Sequence, residues 1–251
     1  MNFDTAAYLN RINYSGPFDP SAETLRQLQL AHLLSVPFEN LSIHSGEPML
    51  LNDDALFNKI VVRRRGGFCY ELNGLFAALL RALDFNVQML SASVANAQGD
   101  WGPEFDHMTL VVTLKERWLV DVGFGDSFIE PLLLDSREAQ VQGSRAYRIE
   151  DNGDQLILSQ RDQSDDWKPQ YRFNLQPHVY SDYAEMCLYH QTSPQSHFPQ
   201  RRICSLLTSD GRITLSQDRL ITTLGSIKQE RELRDKAEVA KVLREQFDIV
   251  L

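Results

Sequence analysis

A cysteine that follows two glycines and opens an apolar helix is the strongest chemical signal in this sequence. In Arg65-Gly66-Gly67-Phe68-Cys69-Tyr70-Glu71-Leu72-Asn73, the glycines predict a tight turn, and leucines and a phenylalanine recurring over residues 72–83 predict a buried helix. Cys69 then lies in the first helical turn, where unpaired backbone N–H groups and the helix dipole favour an anion. We therefore expect a lowered thiol pKa and a nucleophilic thiolate, with the glycines leaving space for a substrate.

A histidine and an aspartate downstream supply the other groups that a cysteine nucleophile needs. His107 lies near the start of one predicted strand, and Asp121 lies at the end of the next, just before Gly123-Phe124-Gly125. An imidazole takes the thiol proton and later returns one to a leaving group, while a carboxylate fixes the imidazole tautomer. The chain therefore contains a candidate nucleophile, base and orienting carboxylate, in that order.

The hairpin between these two strands decides whether His107 and Asp121 can meet. A three-residue loop at 114–116 pairs Asp121 with Thr109, which sets it diagonally across from His107 on the same sheet face. A two-residue loop would pair Asp121 with Leu110 and turn its side chain to the other face. The triad hypothesis therefore requires the three-residue loop, or a bulge that restores the face.

Three motifs together resemble those of the arylamine N-acetyltransferases. The segment around Cys69 resembles their nucleophile motif, and Val36-Pro37-Phe38-Glu39-Asn40-Leu41 resembles their N-terminal signature. Asp121-Val122-Gly123-Phe124-Gly125 resembles the segment that carries their catalytic aspartate. The motifs have the family's order and spacing and cover about the first half of the chain.

The resemblance implies an enzyme similar to N-hydroxyarylamine O-acetyltransferases, with a catalytic triad of Cys69, His107 and Asp121. It implies that acetyl-CoA, as the donor substrate, forms an acetyl thioester on Cys69 in a ping-pong reaction without a metal. The acetyl group then passes to an arylamine, arylhydrazine or N-hydroxyarylamine. It also implies that Phe124 lines the acceptor site, and we place Phe38 and Gly125 with it in the predicted substrate site.

The resemblance further implies an α+β fold. Its parts are an N-terminal helical bundle, a central β-barrel and a C-terminal α/β lid on a thiol-protease-like (transglutaminase-like) core. The residue patterns agree with three regions: a helical region at 1–84 with the nucleophile, a strand-rich region at 85–190 with the histidine and aspartate, and 191–251. The last region combines a hairpin signal at Asp210-Gly211 with an amphipathic helix.

The charge balance argues against nucleic acid as a partner. The 251 residues carry a formal net charge of −9, whereas binding to phosphate backbones relies on clustered lysines and arginines. The one basic run, Arg63-Arg64-Arg65, is short, and we interpret it as a set of internal ion-pair partners that includes Glu39. Arg201 and Arg202 are candidate cations for the CoA phosphates, although the CoA-binding residues stay unassigned.

The cysteine count and the apolar pattern predict a cytoplasmic protein. The chain has three widely spaced cysteines, which form neither a disulfide framework nor a metal-binding spacing. A reducing compartment fits this pattern and keeps Cys69 a thiol. No signal-peptide pattern or run of membrane-spanning length is present, so we expect no membrane association. The pattern predicts no particular oligomeric state.

The residues leave two other functions open. The same triad performs amide hydrolysis or amide synthesis, and only the acceptor pocket decides between these reactions and acetyl transfer. A lone cysteine is often a packing residue, so a non-catalytic protein that binds a small ligand is an alternative of another class. His190 and His197 are further candidates for ligand contact, although a surface or core role is commoner for such histidines.

Overall fold

Helices and two antiparallel sheets build the chain. The computed structural model describes residues 3–162, 166–225 and 227–250. Met1, Asn2 and Leu251, which end the predicted terminal regions, lie outside the described residues. The helices are α1 (Thr5–Arg11), α2 (Ala22–Ser35), α3 (Leu41–Ser45), α4 (Asp53–Phe57) continued by a π-turn (Asn58–Val62), α5 (Cys69–Ala82), a 3₁₀ turn (Tyr180–Tyr183) leading into α6 (Ala184–Thr192), α7 (His197–Gln200) and α8 (Lys236–Phe247).

One short strand precedes the central helix α5, and the other described strands follow it. They are β1 (Phe38–Glu39), β2 (Asn86–Val94), β3 (His107–Thr113), β4 (Arg117–Val120), β5 (Leu132–Leu133), β6 (Gln140–Gln142), β7 (Arg145–Asn152), β8 (Gln155–Asp162), β9 (Lys168–His178), β10 (Ile203–Thr208), β11 (Gly211–Ser216), β12 (Arg219–Leu224) and β13 (Ile227–Glu232). The mixture of helix and sheet confirms the predicted α+β class.

The central helix α5 is buried over residues 69–80. Its apolar side chains form one core with α1, α2 and the π-turn on one side and with β2 and β3 on the other. The predicted stripe is therefore only part of the buried surface, since the polar Glu71 and Asn73 are buried as well. A helix enclosed in this way holds its first residue, Cys69, in a fixed position relative to the sheet.

The larger sheet has eight strands in the order β5-β4-β3-β2-β9-β8-β7-β6 and curls into a nearly closed barrel. At the seam between β5 and β6, the Gln140 side chain donates to the Leu133 carbonyl at 3.0 Å and accepts from its N–H at 2.8 Å. Gln142 bonds in the same way to the backbone of residues 129–130. Side-chain amides thus replace backbone pairing at the seam, and the predicted central barrel is confirmed.

The β3–β4 hairpin has the three-residue loop that the triad hypothesis requires. Leu110 pairs with Val120, so Asp121 follows opposite Thr109, on the sheet face of His107. The predicted register is therefore confirmed. Because side chains alternate along a strand, Leu110 and its even-numbered neighbours pack on α5, whereas Val111 points into the barrel core.

The smaller sheet joins distant parts of the chain in the order β1-β10-β11-β12-β13. The predicted hairpin at Asp210-Gly211 connects β10 and β11 and is confirmed. The sequence did not predict β12 and β13. The short strand β1 pairs with β10, so the sheet of the C-terminal region includes Phe38 and Glu39 from the N-terminal region. Helix α8 covers this sheet through Val239, Leu243 and neighbouring apolar residues.

Two further features concern the described ranges as a whole. No helix within them is long and apolar enough to cross a membrane. No three His, Cys, Asp or Glu side chains within them come together in a way that would hold a metal ion.

Candidate active site

Cys69 is the first residue of α5 and is 3% exposed. The preceding turn is fixed by Glu71, whose Oε2 accepts the Phe68 N–H at 3.2 Å. The buried ammonium of Lys59 lies 2.8 Å from Glu71 Oε1 and balances its charge. The nucleophile is therefore held by a buried ion pair in the first turn of its own helix.

The two glycines before the nucleophile have a different role from the predicted one. A Cβ on Gly66 would lie 2.0 Å from the Pro37 carbonyl oxygen, and one on Gly67 would lie 2.8 Å from Glu71. Both glycines therefore allow close packing beneath the site rather than substrate access. The glycine that faces the nucleophile is Gly123, where a Cβ would lie 2.8 Å from the Cys69 Cα.

The three arginines of the basic run form ion pairs, as predicted. Arg65 and Glu39, both buried, lie 2.8 Å apart, while Arg63 pairs with Glu47 and Arg64 with Asp248. The Arg65–Glu39 pair joins the nucleophile turn to the strand that carries Phe38. The signature around Phe38 is thus fixed to the segment that presents Cys69.

His107 and Asp121 meet as the strand register requires. His107 Nε2 lies 2.7 Å from Asp121 Oδ2 in a buried hydrogen bond. When Nε2 carries the proton that the carboxylate accepts, Nδ1 is the basic nitrogen of the ring. The ring is also packed between aromatic side chains, with centroids 5.1 Å from Phe124 and 5.2 Å from Tyr171.

Every oxygen of the Asp121 carboxylate has two hydrogen-bond donors. Oδ1 accepts from Asn73 Nδ2 at 2.8 Å and from the Gly123 N–H at 2.9 Å. Oδ2 accepts from His107 and, at 3.2 Å, from the Tyr171 hydroxyl. Burial opposes the charged form, but His107 and these hydrogen bonds outweigh it and hold the pKa of Asp121 below its usual value. The carboxylate is therefore ionised at neutral pH.

Asn73 and Tyr171 are the site residues that sequence reasoning did not assign. Asn73 also donates to the Met108 carbonyl at 2.6 Å and accepts from the Val122 N–H at 2.9 Å, so it links α5 to both strands. Its signal was an amide four residues after Cys69 on a helix face that is otherwise apolar. Tyr171 lies far along the chain in β9, and no local pattern distinguishes it from a core tyrosine.

The pKa of the Cys69 thiol differs from the expected one. Burial raises the pKa of Cys69 well above its usual value, and only the backbone of Met108 opposes this rise. The lowered pKa expected from the helix N-terminus is therefore wrong for this buried thiol, because loss of hydration outweighs the helix dipole. Ionisation of Cys69 then requires a base at the site, which is the part that His107 can take.

Cys69 and His107 open into the same cavity of about 430 Å³. Its walls come from the loop after β2, the segment after β4 and the segment between α6 and α7. The lining side chains are mainly apolar or aromatic, including Phe38, Trp101, Phe124, Tyr189 and Phe198. A cavity of this size and character accepts a small aromatic molecule next to the sulfur.

The remaining predicted site residues are placed as follows. Phe38 and Phe124 line the cavity, whereas Gly125 lies behind the Phe38 ring, 3.6 Å from it at the position of a Cβ. Arg201 donates to Ser216 Oγ at 2.7 Å, and Arg202 forms an ion pair with Asp218 at 2.8 Å. Both cations that we considered for CoA thus have partners within the chain.

Comparison with known proteins agrees with this geometry. A family model described as N-acetyltransferase matches residues 21–251. The arylamine N-acetyltransferase of Escherichia coli (strain K12) is 35% identical over 246 residues, which cover 96% of this chain and 87% of that protein. The chain belongs to the arylamine N-acetyltransferase family. The resemblance of the three sequence motifs is thereby confirmed, and the protein is an enzyme of this acyltransferase family.

Two solved arylamine N-acetyltransferases have the same fold. The Salmonella typhimurium structure matches with a TM-score of 0.93 and 31% identity, covering 99% of this chain and 92% of that chain. The Mycobacterium marinum structure, solved in complex with CoA, matches with a TM-score of 0.90 and 34% identity, covering 98% of this chain and 93% of that chain. Helices, barrel and C-terminal sheet are therefore shared along nearly the whole length.

Proposed function

We propose that this protein transfers an acetyl group from acetyl-CoA, through a thioester on Cys69, to arylamines, arylhydrazines or N-hydroxyarylamines. The observation that carries this proposal is the buried His107–Asp121 pair, whose histidine lines the same aromatic cavity as Cys69. The CoA complex of the Mycobacterium marinum relative supports acetyl-CoA as the donor.

The first half-reaction forms the acetyl-enzyme. His107 Nδ1 takes the Cys69 proton, and the sulfur attacks the thioester carbonyl carbon of acetyl-CoA. The carbon–sulfur bond to CoA breaks, and the CoA thiolate receives the proton from His107. Asp121, held ionised by its four donors, stabilises the imidazolium that exists between these proton transfers.

The second half-reaction returns the enzyme to its starting state. The acceptor nitrogen, or the oxygen of a hydroxylamine, attacks the acetyl carbon on Cys69. His107 removes the proton that the acceptor loses, and the bond between carbon and Cys69 sulfur breaks. The thiolate takes that proton back from His107, so the enzyme ends with a neutral thiol, as burial favours.

The start of α5 supplies donors for the oxyanion of both tetrahedral intermediates. The first helical hydrogen bonds run from the Glu71 and Leu72 N–H groups to the Phe68 carbonyl. The N–H groups of Cys69 and Tyr70 precede these bonds and lie beside the reacting sulfur. Such a donor contributes roughly 3–4 kcal/mol to transition-state stabilisation in other acyl-transfer enzymes.

The cavity walls support an aromatic acceptor. Phe38 and Phe124 lie on one part of the wall, and Trp101 and Phe198 add further ring surface. Aromatic rings pack favourably against such walls in offset or edge-on arrangements. Because Phe198 belongs to residues 191–251, we propose that this region acts as a lid over a thiol-protease-like core formed by α5 and the barrel.

We also propose a cytoplasmic location. Cys69, Cys187 and Cys204 are all free and buried, and the reaction requires that Cys69 stay reduced. A reducing compartment meets this requirement.

Steady-state kinetics with acetyl-CoA and aniline test the proposed reaction. We expect acetanilide as the product and parallel double-reciprocal lines, because CoA leaves before the acceptor reacts. Cys69→Ala should abolish the reaction while leaving the fold unchanged, as judged by circular dichroism. Hydrolysis of acetyl-CoA or of amides without acetanilide would favour a hydrolase or amide synthase. Absence of any turnover, with slow alkylation of Cys69, would favour a non-catalytic binding protein.

A further inference from the structure

A second histidine and aspartate border the same cavity. His190, near the end of α6, is 6% exposed, and its Nε2 lies 3.2 Å from Asp106 Oδ1. Asp106 immediately precedes His107 in the chain, and its side chain is 19% exposed. Both residues line the cavity that contains Cys69. The proposed transfer reaction does not use either of them.

The proton on His190 can be placed from its neighbours. Ser196 Oγ lies 3.0 Å from His190 Nδ1 and already accepts the Phe198 N–H at 3.3 Å. The Asp106 carboxylate 3.2 Å from Nε2 favours a proton on that nitrogen, and the Ser196 hydroxyl then donates its own proton to Nδ1. Packing of the ring against Tyr70 and Phe198 holds this orientation.

His190 Nε2 has no hydrogen-bond partner among the described residues, although it is buried. The nearby Asp106 oxygen is at ion-pair distance but does not lie in line for a hydrogen bond. Burying an N–H without a hydrogen-bond partner is energetically unfavourable. An unpartnered N–H on the cavity wall indicates that a bound ligand supplies the missing hydrogen-bond acceptor.

The Asp106 carboxylate is also positioned by its surroundings. A Cβ on Gly102 would lie 2.5 Å from Asp106 Oδ2, so the carboxylate occupies the space that a larger residue at 102 would fill. Asp106 lines the same cavity as Cys69, and its negative charge adds to the effect of burial in raising the pKa of that thiol.

We propose that Asp106 and His190 form a polar subsite that recognises the paired heteroatoms of arylhydrazine and N-hydroxyarylamine acceptors. In this subsite the Asp106 carboxylate accepts a hydrogen bond from the acceptor N–H. The His190 Nε2–H donates to the adjacent nitrogen or oxygen. Ser196 is a positioning residue that fixes the His190 tautomer. This inference rests on the proposed acetyl transfer and deepens it by assigning the residues that select among its acceptors.

The pair matches a hydrazine or hydroxylamine better than a simple amine. A primary arylamine has one heteroatom, so it cannot bond to the carboxylate and to Nε2–H through two neighbouring atoms. Losing a hydrogen bond to a charged group typically changes a rate or binding constant by about tenfold or more. Acceptor selectivity is therefore the property that the subsite should control.

Discharge of the acetyl-enzyme by phenylhydrazine and by aniline tests the subsite. Enzyme acetylated with acetyl-CoA is mixed with each acceptor, and the ratio of the two second-order rate constants is compared between variants. Because both acceptors react with the same acetyl-enzyme, a change in the reactivity of the Cys69 thioester alters both rate constants equally and cancels in their ratio. We expect Asp106→Asn and His190→Phe each to lower the phenylhydrazine-to-aniline ratio by about tenfold. Gly102→Ala, which displaces the carboxylate without removing it, should lower the ratio as well.

Glu104→Gln is the matched control, because it removes the same charge at an exposed position two residues from Asp106, outside this cavity. Its ratio should equal that of the wild type. An unchanged ratio in Asp106→Asn and His190→Phe would overturn the subsite while leaving acetyl transfer intact.

If the wild type forms no acetyl-enzyme, the proposed function fails and the subsite is judged by binding. NMR titrations of the unmodified enzyme with phenylhydrazine and aniline then give the same comparison. A preference for phenylhydrazine that Asp106→Asn removes would support the subsite, and equal affinities in both proteins would overturn it.

Discussion

The two histidine–aspartate pairs of the cavity are built in opposite ways. In the His107–Asp121 pair, both carboxylate oxygens are fully used, and the side chain of Asp121 is 0% exposed. In the His190–Asp106 pair, the carboxylate is partly exposed and the imidazole N–H lacks a partner. We call the His107–Asp121 pair saturated and the His190–Asp106 pair unsaturated. A saturated pair suits a histidine that must keep one tautomer during proton transfer, whereas an unsaturated pair suits groups that bind a ligand.

The difference follows from the elements that supply the residues. Asp121 and His107 come from adjacent strands, and Asn73 from the buried helix α5 binds both strands to it. His190 comes from α6, and it meets Asp106 of the loop before β3 rather than within a sheet. Strand pairing thus fixes the geometry of the His107–Asp121 pair, whereas the unsaturated pair lies in segments outside the sheet that form part of the cavity wall.

Replacing Asp121 with Asn should produce the largest effect, because it removes the carboxylate oxygen that accepts the hydrogen bond from His107 Nε2. An amide NH₂ facing His107 Nε2 favours the wrong tautomer, and the loss in comparable triads is about 10⁴-fold. We expect acetyl-enzyme formation, followed by release of free CoA thiol in a stopped-flow assay, to slow by 10³- to 10⁴-fold. Asp106→Asn is the matched control and should slow this step by less than about tenfold. Equal losses in both variants would show that the two pairs do not differ in role.

Removing His107 tests whether Cys69 depends on the saturated pair for ionisation. Burial, with nearby negative charges adding to it, raises the pKa of the thiol above its usual value, so His107→Gln should leave it neutral at pH 7. We expect the rate of Cys69 alkylation by iodoacetamide at pH 7 to fall by about 100-fold and to rise with pH beyond the ordinary thiol range. His190→Phe should alkylate at close to the wild-type rate. If His107→Gln were alkylated as rapidly as the wild type, the imidazole would not be the base.

Replacing Asn73 with Ala should loosen the saturated pair and reduce stability. The change leaves the Met108 carbonyl, the Val122 N–H and one Asp121 bond without their partner in a buried region. We expect a loss of about 2–3 kcal/mol in the free energy of unfolding, measured by urea denaturation. Asn10→Ala, at an exposed position of α1, is the control and should change stability by less than about 0.5 kcal/mol. If Asn73→Ala also lowered the free energy of unfolding by less than about 0.5 kcal/mol, water would be replacing the hydrogen bonds of the Asn73 side chain.

The pH dependence of stability should show the Asp121 carboxylate directly. Its pKa is lower in the folded protein than in the unfolded chain. Its contribution to stability is therefore present above the unfolded value, about 3.9, and is lost as the pH falls through the folded value. We expect the difference in unfolding free energy between the wild type and Asp121→Asn to decrease as the pH is lowered below about 4. A difference that does not change with pH would contradict an ionised Asp121.

Ser196→Ala should give the smallest effect, on the unsaturated pair. Within the described part of the chain, the hydroxyl forms hydrogen bonds only with His190 Nδ1 and the Phe198 N–H, so its removal frees the tautomer without removing either recognition group. We expect the phenylhydrazine-to-aniline ratio to fall by about twofold, less than in His190→Phe, as one weak neutral hydrogen bond predicts. Ser193→Ala, which removes a half-buried hydroxyl that accepts the Gln195 N–H just after α6, should leave the ratio unchanged. A tenfold fall in Ser196→Ala would instead make Ser196 part of the recognition itself.

The sequence predicts the saturated pair better than the unsaturated one for a physical reason. Period-two alternation and the length of one hairpin determine where His107 and Asp121 lie relative to each other, and both are local properties of the chain. His190 and Asp106 are brought together only by tertiary packing, in which the His190 ring of α6 stacks on Tyr70 of α5, and no local sequence pattern predicts that contact. Tyr171, which donates to Asp121 from β9, escaped prediction in the same way.

The two wrong expectations at Cys69 have the same origin. The helix dipole is a local property and was correctly located, but the thiol pKa depends on how completely other elements bury the sulfur. The sequence predicts that Gly66 and Gly67 leave space for a substrate, whereas in the folded chain Pro37 and Glu71 fill the space next to these glycines. Local patterns therefore locate the nucleophile, and tertiary packing decides its environment.

The most direct test of the proposed reaction is the location of the acetyl group after the enzyme meets acetyl-CoA alone. Intact mass spectrometry followed by peptide mapping should find one acetyl group, on Cys69, and this group should disappear when phenylhydrazine is added. Cys69→Ala should acquire none. An acetyl group on another residue, or acetyl transfer by Cys69→Ala at the wild-type rate, would contradict a thioester on Cys69 as the intermediate.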